Sequence, residues 1–335
     1  MTNATAENAV GTLAPASSST VALLAAAATV AFLASIMVGP DGFGLPDNPY
    51  AAHLVLTEIR LPRALLGALI GAALGLSGAV LQGYLRNPLA EPSLLGISGG
   101  ASLGAVVAIH TGAAGAFTLA LPIGGLSGAA IAALAVLLLS RGRRGPSTLI
   151  LAGVAISSIA AALTTLALTL SSNPFASVEM LFWLLGSLND RSMLHVWLAA
   201  PLIVIGCAVL LQTGAALDAL TLGDEAAQNL GVSLGGLRLR VIAGTVLAVG
   251  AGTAVAGTIG FVGLVVPHLL RPLVGYEPRR LLLASLLGGA ALVLFADIAL
   301  RLLAPLQDIR LGVATALIGA PFFLWLVLKS RDDFE

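Results

Sequence analysis

An all-α integral membrane protein with about ten transmembrane helices plus short surface helices is the fold class this sequence predicts, on three observations. Of its 335 residues, 58% are hydrophobic and 10% charged, where a soluble domain of this size carries about 25% charged residues. Apolar runs recur at lengths suited to a bilayer core of about 30 Å, which takes roughly 20 helical residues to cross. Small residues repeat at helix-packing intervals, as in Gly67-x3-Gly71-x3-Gly75 and Gly244-x5-Gly250-Ala251-Gly252. In lipid such residues let helices approach closely, since burial of apolar surface gives no drive for association there.

The elements follow in chain order. Residues 1–18 are small and polar and lack Lys or Arg, unlike the charged start of a secretory signal, so they read as a flexible tail before a retained first span. Residues 19–335 read as one transmembrane domain. Its spans are expected at about 19–39, 62–84, 93–111, 118–140, 147–171, 194–212, 236–256, 258–274, 280–303 and 311–329. The eighth is short and contains Pro267, and Val178 to Leu188 reads as an additional short helix at the surface.

Sixteen basic and sixteen acidic residues cancel, so no global field favours nucleic acid. The position of the basic residues matters more, because cytoplasmic connections are enriched in Lys and Arg. With both termini inside, the inner connections and tail hold Arg86, Arg141, Arg143, Arg144, Arg238, Arg240, Arg271, Arg279, Arg280, Lys329 and Arg331, eleven of the sixteen. The outer side holds Arg60, Arg63, Arg191, Arg301 and Arg310. This asymmetry places both termini in the cytoplasm. The single cysteine, Cys207, excludes an intramolecular disulfide and a multi-cysteine metal site. No G-x4-G-K-[ST] occurs and Lys329 is the only lysine, so any nucleotide chemistry must come from another chain.

The longest moderately polar stretch on the inner side is residues 217–231. Leu217, Leu220, Ala227 and Leu230 fall on one helical stripe and Asp224, Glu225 and Gln228 on the other, which predicts a short amphipathic helix at the inner surface. Within it, Glu225-Ala226-Ala227-x3-Gly231 resembles the coupling-loop signature of ABC transporter permeases. Further motifs extend the resemblance in sequence order: Arg60-Leu61-Pro62-Arg63; Ser77-Gly78 with Gln82 and Arg86-Asn87-Pro88-Leu89-Ala90; Leu149 to Ala155; Phe182 to Leu188; Gly260 to Arg271; Ala296-Asp297; and Gly319-Ala320-Pro321-Phe322-Phe323. Over about residues 55–329 the chain resembles permeases of the iron-chelate, haem and cobalamin uptake family of type II ABC importers.

That resemblance implies the type II ABC importer permease fold in an inner membrane, a homodimer, two ATPase subunits on the cytoplasmic side and a periplasmic substrate-binding protein. It implies a coupling site at Asp218, Leu222, Gly223, Asp224, Glu225, Ala226, Ala227 and Gly231. Arg60, Arg63 and Arg301 match arginines that receive acidic side chains of the binding protein, a task suited to a permanently charged, bidentate guanidinium. Pro146, Ser147 and Thr148 match a constriction at the cytoplasmic start of the span lining the pathway, and also suit an ordinary helix start. The chain is expected to bind no cofactor or metal itself, ATP and Mg²⁺ being used by the ATPase partner. Two departures stand out: Leu217-Asp218 where the family usually has Leu-Asn, and Asp308-Ile309-Arg310 where Glu-Leu-Pro is common.

Other readings compete. Gly96-Ile97-Ser98-Gly99-Gly100 contains G-x-S-x-G, and with His268 as base it suggests an intramembrane serine protease. Chance matches are frequent in a chain with 39 glycines. An ATP-independent secondary transporter should show inverted repeats with broken helices, and none is evident. Asp297 lies four residues before Arg301 and is expected to pair with it; a proton relay is the alternative. His53, His110 and His195 have no metal-ligand spacing. Trp183, Trp197 and Trp325 suit interfacial anchoring or packing. Substrate identity is left open among ferric siderophores, haem, cobalamin and oxyanions.

Overall fold

A computed structural model of the protein describes residues 16–39, 42–117, 119–140, 146–303 and 309–332. Most of the predicted tail, the arginines at 141, 143 and 144, and Asp308 lie outside them. The helices are α1 (Ala16–Met37), α2 (Pro49–Leu85), α3 (Ile97–His110), α4 (Ala120–Leu139), α5 (Pro146–Leu170), α6 (Pro174–Leu184) and α7 (Met193–Leu211). They continue with α8 (Gly214–Leu220), α9 (Asp224–Asn229), α10 (Leu234–Ala256), α11 (Val262–Leu270), α12 (Pro278–Leu303) and α13 (Leu311–Asp332). A two-stranded antiparallel hairpin, Val38–Gly39 with Gly42–Phe43, follows α1.

Among the described residues seven helices are long and apolar enough to cross a membrane: α1, α2, α4, α5, the segment Met193–Leu220 beginning with α7, α10 and α12. The α3 and α13 helices are shorter apolar elements at the third and tenth expected spans. The eighth span departs most from expectation, as only the nine residues of α11 are helical. Gly257 and Phe261 have φ of 74° and 65°, and left-handed residues of this kind end one helix before the next begins. The short surface helix appears as α6, four residues earlier than read from the sequence at its start, with Asn173 capping it by accepting from the Phe175 N–H at 3.0 Å.

The centre of the bundle is formed by α2 and α10, the most buried spans. Antiparallel α12 packs along α2, and α1 packs on α12. The α2–α12 contact is set by glycine: a Cβ at Gly71 would collide with the Gly289 carbonyl, and one at Gly75 with that of Ser285. Without side chains between them the two backbones touch directly. By contrast α5 and α6 leave broad apolar surfaces uncovered, with Leu151 70%, Leu170 64% and Phe175 85% exposed.

Candidate functional site

At one end of the bundle, residues 214–231 form two helices rather than the single amphipathic helix expected over 217–231. Gly223, with φ of 105°, separates α8 from α9, a backbone conformation that costs glycine little and other residues much. Leu217, Leu220 and Ala227 are buried as the stripe predicted, but Leu230 is 65% exposed. The helix break rotates α9 relative to α8, so one periodic stripe no longer describes both. Leu222, Asp224, Glu225 and Gly231 are also exposed, while Gly223 and Ala226 are half-buried.

Two acids of this segment turn back toward the bundle. Asp224 pairs with Arg86 at the C-terminal end of α2. Asp218 Oδ1 accepts the backbone N–H of Arg279 at 3.0 Å, satisfying a donor in the first turn of α12 that has no intrahelical partner. Asp218, expected at the ATPase-coupling site, thus also caps α12 from the neighbouring helix. No periodicity reaches across the 61 positions between them.

At the opposite end, Arg60, Arg63 and Arg301 come together, but they are turned inward. Arg63 donates to Asp297 from Nε at 3.0 Å and Nη2 at 2.7 Å. Arg301 Nη2 donates to the other oxygen of Asp297 at 2.7 Å and to Ser35 Oγ at 2.5 Å. Its Nη1 reaches the carbonyls of Ser35 and Val38 at 2.9 and 2.7 Å. Arg60 Nη1 bonds the carbonyls of Ile36, Met37 and Gly44 at 3.1, 2.9 and 2.7 Å. Arg60 and Arg301 thus satisfy the last carbonyls of α1, where positive charge complements the helix dipole. Sequence reasoning found the Asp297–Arg301 pair through its i,i+4 spacing and missed Arg63 as second partner. An acid six residues before the end of a largely apolar span was the available signal.

The remaining sites are placed as follows. Pro146 opens α5, Ser147 is exposed and Thr148 half-buried. Arg310 lies over the Phe182 ring, its guanidinium carbon 4.9 Å from the centroid, and donates to Ser187 Oγ at 3.4 Å. Burial pulls the Arg191 pKa below its ordinary value; adjacent Asp190 opposes the shift and Arg310 adds to it. Gln82 bridges α2 to α11, donating to the carbonyl of Gly263 at 3.3 Å and accepting from Arg271 at 2.6 Å. His268 packs edge-on against Phe322, centroids 5.6 Å apart, which joins two of the sequence motifs. Ser98 lies in the first turn of α3 and His195 in the first turn of α7, where its Nδ1 accepts from the Ser192 N–H at 3.2 Å.

A multi-pass helical bundle with an exposed, internally anchored polar segment at one end has the architecture of a transport permease. Residues 22–329 match the model of the FecCD transport family, and the chain belongs to that family. It is 39% identical over 308 residues to the cobalamin import system permease protein BtuC of Halobacterium salinarum, covering 91% of this chain and 79% of that one. It is 41% identical over 280 residues to the vitamin B12 import system permease protein BtuC of Klebsiella pneumoniae, covering 83% and 84%. With the uncharacterized ABC transporter permease protein YvrB of Bacillus subtilis it shares 39% identity over 292 residues, 85% and 81% of the two chains. A metal-chelate type ABC transporter solved in an inward-facing conformation superposes with a TM-score of 0.85 at 32% identity, covering 93% of this chain and 99% of that one. The chain is an ABC importer permease subunit, not an enzyme, which removes the Ser98–His268 protease reading.

Proposed function

We propose that this chain is the membrane subunit of an ATP-driven, binding-protein-dependent importer that moves cobalamin or a metal chelate, such as a ferric siderophore or haem, into the cytoplasm. The observation that carries the reading is the α8–α9 segment. Buried Leu217, Leu220 and Ala227 hold it to the bundle while Leu222, Glu225 and Leu230 project outward, as a contact surface for an ATPase requires. The names of the BtuC relatives support cobalamin and the description of the solved neighbour supports a metal chelate.

The subunit works with both termini in the cytoplasm of a bacterial inner membrane. Two copies meet along the uncovered apolar faces of α5 and α6, and the cargo passes between them, with Ser147 and Thr148 at the inner constriction. Two ATPase subunits bind ATP and Mg²⁺ and engage the α8–α9 segments. A periplasmic binding protein docks over Arg60, Arg63 and Arg301. Arg63 and Arg301 share one acid, Asp297, two positive charges to one negative, which suits the carboxylates of a partner. Surrounding lipid covers the remaining apolar surface.

The test is uptake into proteoliposomes holding the permease, its ATPase and its binding protein. ATP-dependent accumulation of cyanocobalamin or of a ferric hydroxamate is the expected result. Accumulation without the ATPase would establish a secondary transporter instead.

A further inference from the structure

The α8–α9 segment is fastened to both helices of the α2–α12 pair, and the far end of that pair holds the Arg63–Asp297–Arg301 cluster. On α2 the fastening is Arg86 with Asp224. On α12 it is the Asp218 cap on the Arg279 N–H at 3.0 Å. Midway, Gly71 and Gly75 bring the two backbones together at Gly289 and Ser285, leaving no layer of side chains that could deform between them. At the opposite end Asp297 of α12 takes two hydrogen bonds from Arg63 of α2 and one from Arg301 of its own helix. The 26 residues of α12 span about 39 Å at the helical rise. The pair is thus joined at its inner end through the α8–α9 segment, in the middle by backbone contact and at its outer end by Asp297.

We infer that the α2–α12 pair is a strut carrying displacement between the α8–α9 segment and the outer surface, with Asp218 as the positioning residue that fastens it on the inner side. The inference rests on the reading of α8–α9 as the ATPase-coupling segment. The Asp218 side chain is the hydrogen-bonded link between α8 and the start of α12, beside the close packing of Gly214 on Arg279; without its oxygen, displacement of α8 is passed to α12 by that packing alone. The neighbouring charges do not replace it, since Glu277 is paired with Arg280 and Asp224 with Arg86. Asparagine keeps the acceptor and is also a good cap, whereas alanine removes it.

The test uses the complete complex of permease, ATPase and binding protein in proteoliposomes. It reads the ratio of ATP hydrolysis with binding protein, added without ligand, to hydrolysis without it. Loss of a helix cap corresponds to about a five-fold change in an equilibrium, so D218A is expected to lower the ratio about five-fold and D218N to restore it. R86A removes an exposed ion pair and is expected to lower it about two-fold. An unchanged ratio in D218A overturns the strut. Equal loss in D218A and D218N also overturns it, because a charge contact with the ATPase would then explain the effect. Should D218A fail to accumulate, R86A decides, and an unchanged ratio there overturns the inference. A wild-type complex that neither assembles nor hydrolyses ATP would be a failure of the functional reading instead.

Discussion

Arg63 grips both carboxylate oxygens of Asp297, donating from Nε to Oδ2 at 3.0 Å and from Nη2 to Oδ1 at 2.7 Å, across 234 positions of sequence. The carboxylate is only 2% exposed and is shared with Arg301. Removing one member of such a buried set leaves the others desolvated and unpaired, which costs about 3–5 kcal/mol. Asp297→Ala is therefore expected to destabilise the detergent-purified protein by that amount, measured by denaturant unfolding. A loss below about 1 kcal/mol, the range of exposed pairs, would show that the cluster is wetter than its burial indicates.

The glycine contacts of α2 give a sharper contrast. Gly75→Leu has no space to enter against the Ser285 carbonyl, and the protein is expected not to accumulate in membranes. Gly235→Ala, near the start of α10 and facing open space, should be neutral or stabilising by a few tenths of a kcal/mol. Immunoblots of membrane fractions and thermal melts separate the two outcomes.

On the coupling surface, Glu225 is exposed and Gly231 has φ of 87°. Glu225→Arg reverses a contact charge, and Gly231→Val places a β-branched residue in a left-handed conformation. Each is expected to lower ATP-driven uptake about ten-fold, the effect of losing a contact worth about 1.4 kcal/mol. The amount of inserted protein should stay near wild type. Normal uptake in both variants would remove the coupling role.

Docking over the arginine cluster predicts salt-dependent association with the binding protein. Its dissociation constant should rise several-fold between about 50 and 500 mM salt as the charges are screened. A flat profile would assign the arginines to structure alone. Arg60→Glu is unsuited to this test, because Arg60 holds three carbonyls at the end of α1 and its hairpin. Its reversal is expected to destabilise the fold first.

The membrane class, the approximate helix positions and the family were legible in the sequence because they depend on local quantities: length of apolar runs, small-residue spacing and short motifs. The Asp297–Arg301 pair was legible for the same reason, lying one helical turn apart. The break at Gly223 was harder to read, since the periodicity of 217–231 suits one continuous helix and only the backbone angle of one glycine interrupts it. The direction of Leu230 follows from that break. Truncation of the eighth span to α11 has the same origin in two left-handed residues, Gly257 and Phe261.

By itself the sequence determined that this chain folds as a helical membrane bundle of the FecCD transport family, and where its polar segments lie. Tertiary structure alone decided what those polar groups face. Arg63 meets Asp297, Arg86 meets Asp224, and Asp218 caps α12 instead of standing free. For buried Asp297 the physical reason is that a charged group in the protein interior must find a partner to offset its desolvation; for all three the partner is whichever group the packing brings near. That packing is set by the glycine contact of α2 with α12, which brings together residues more than two hundred positions apart.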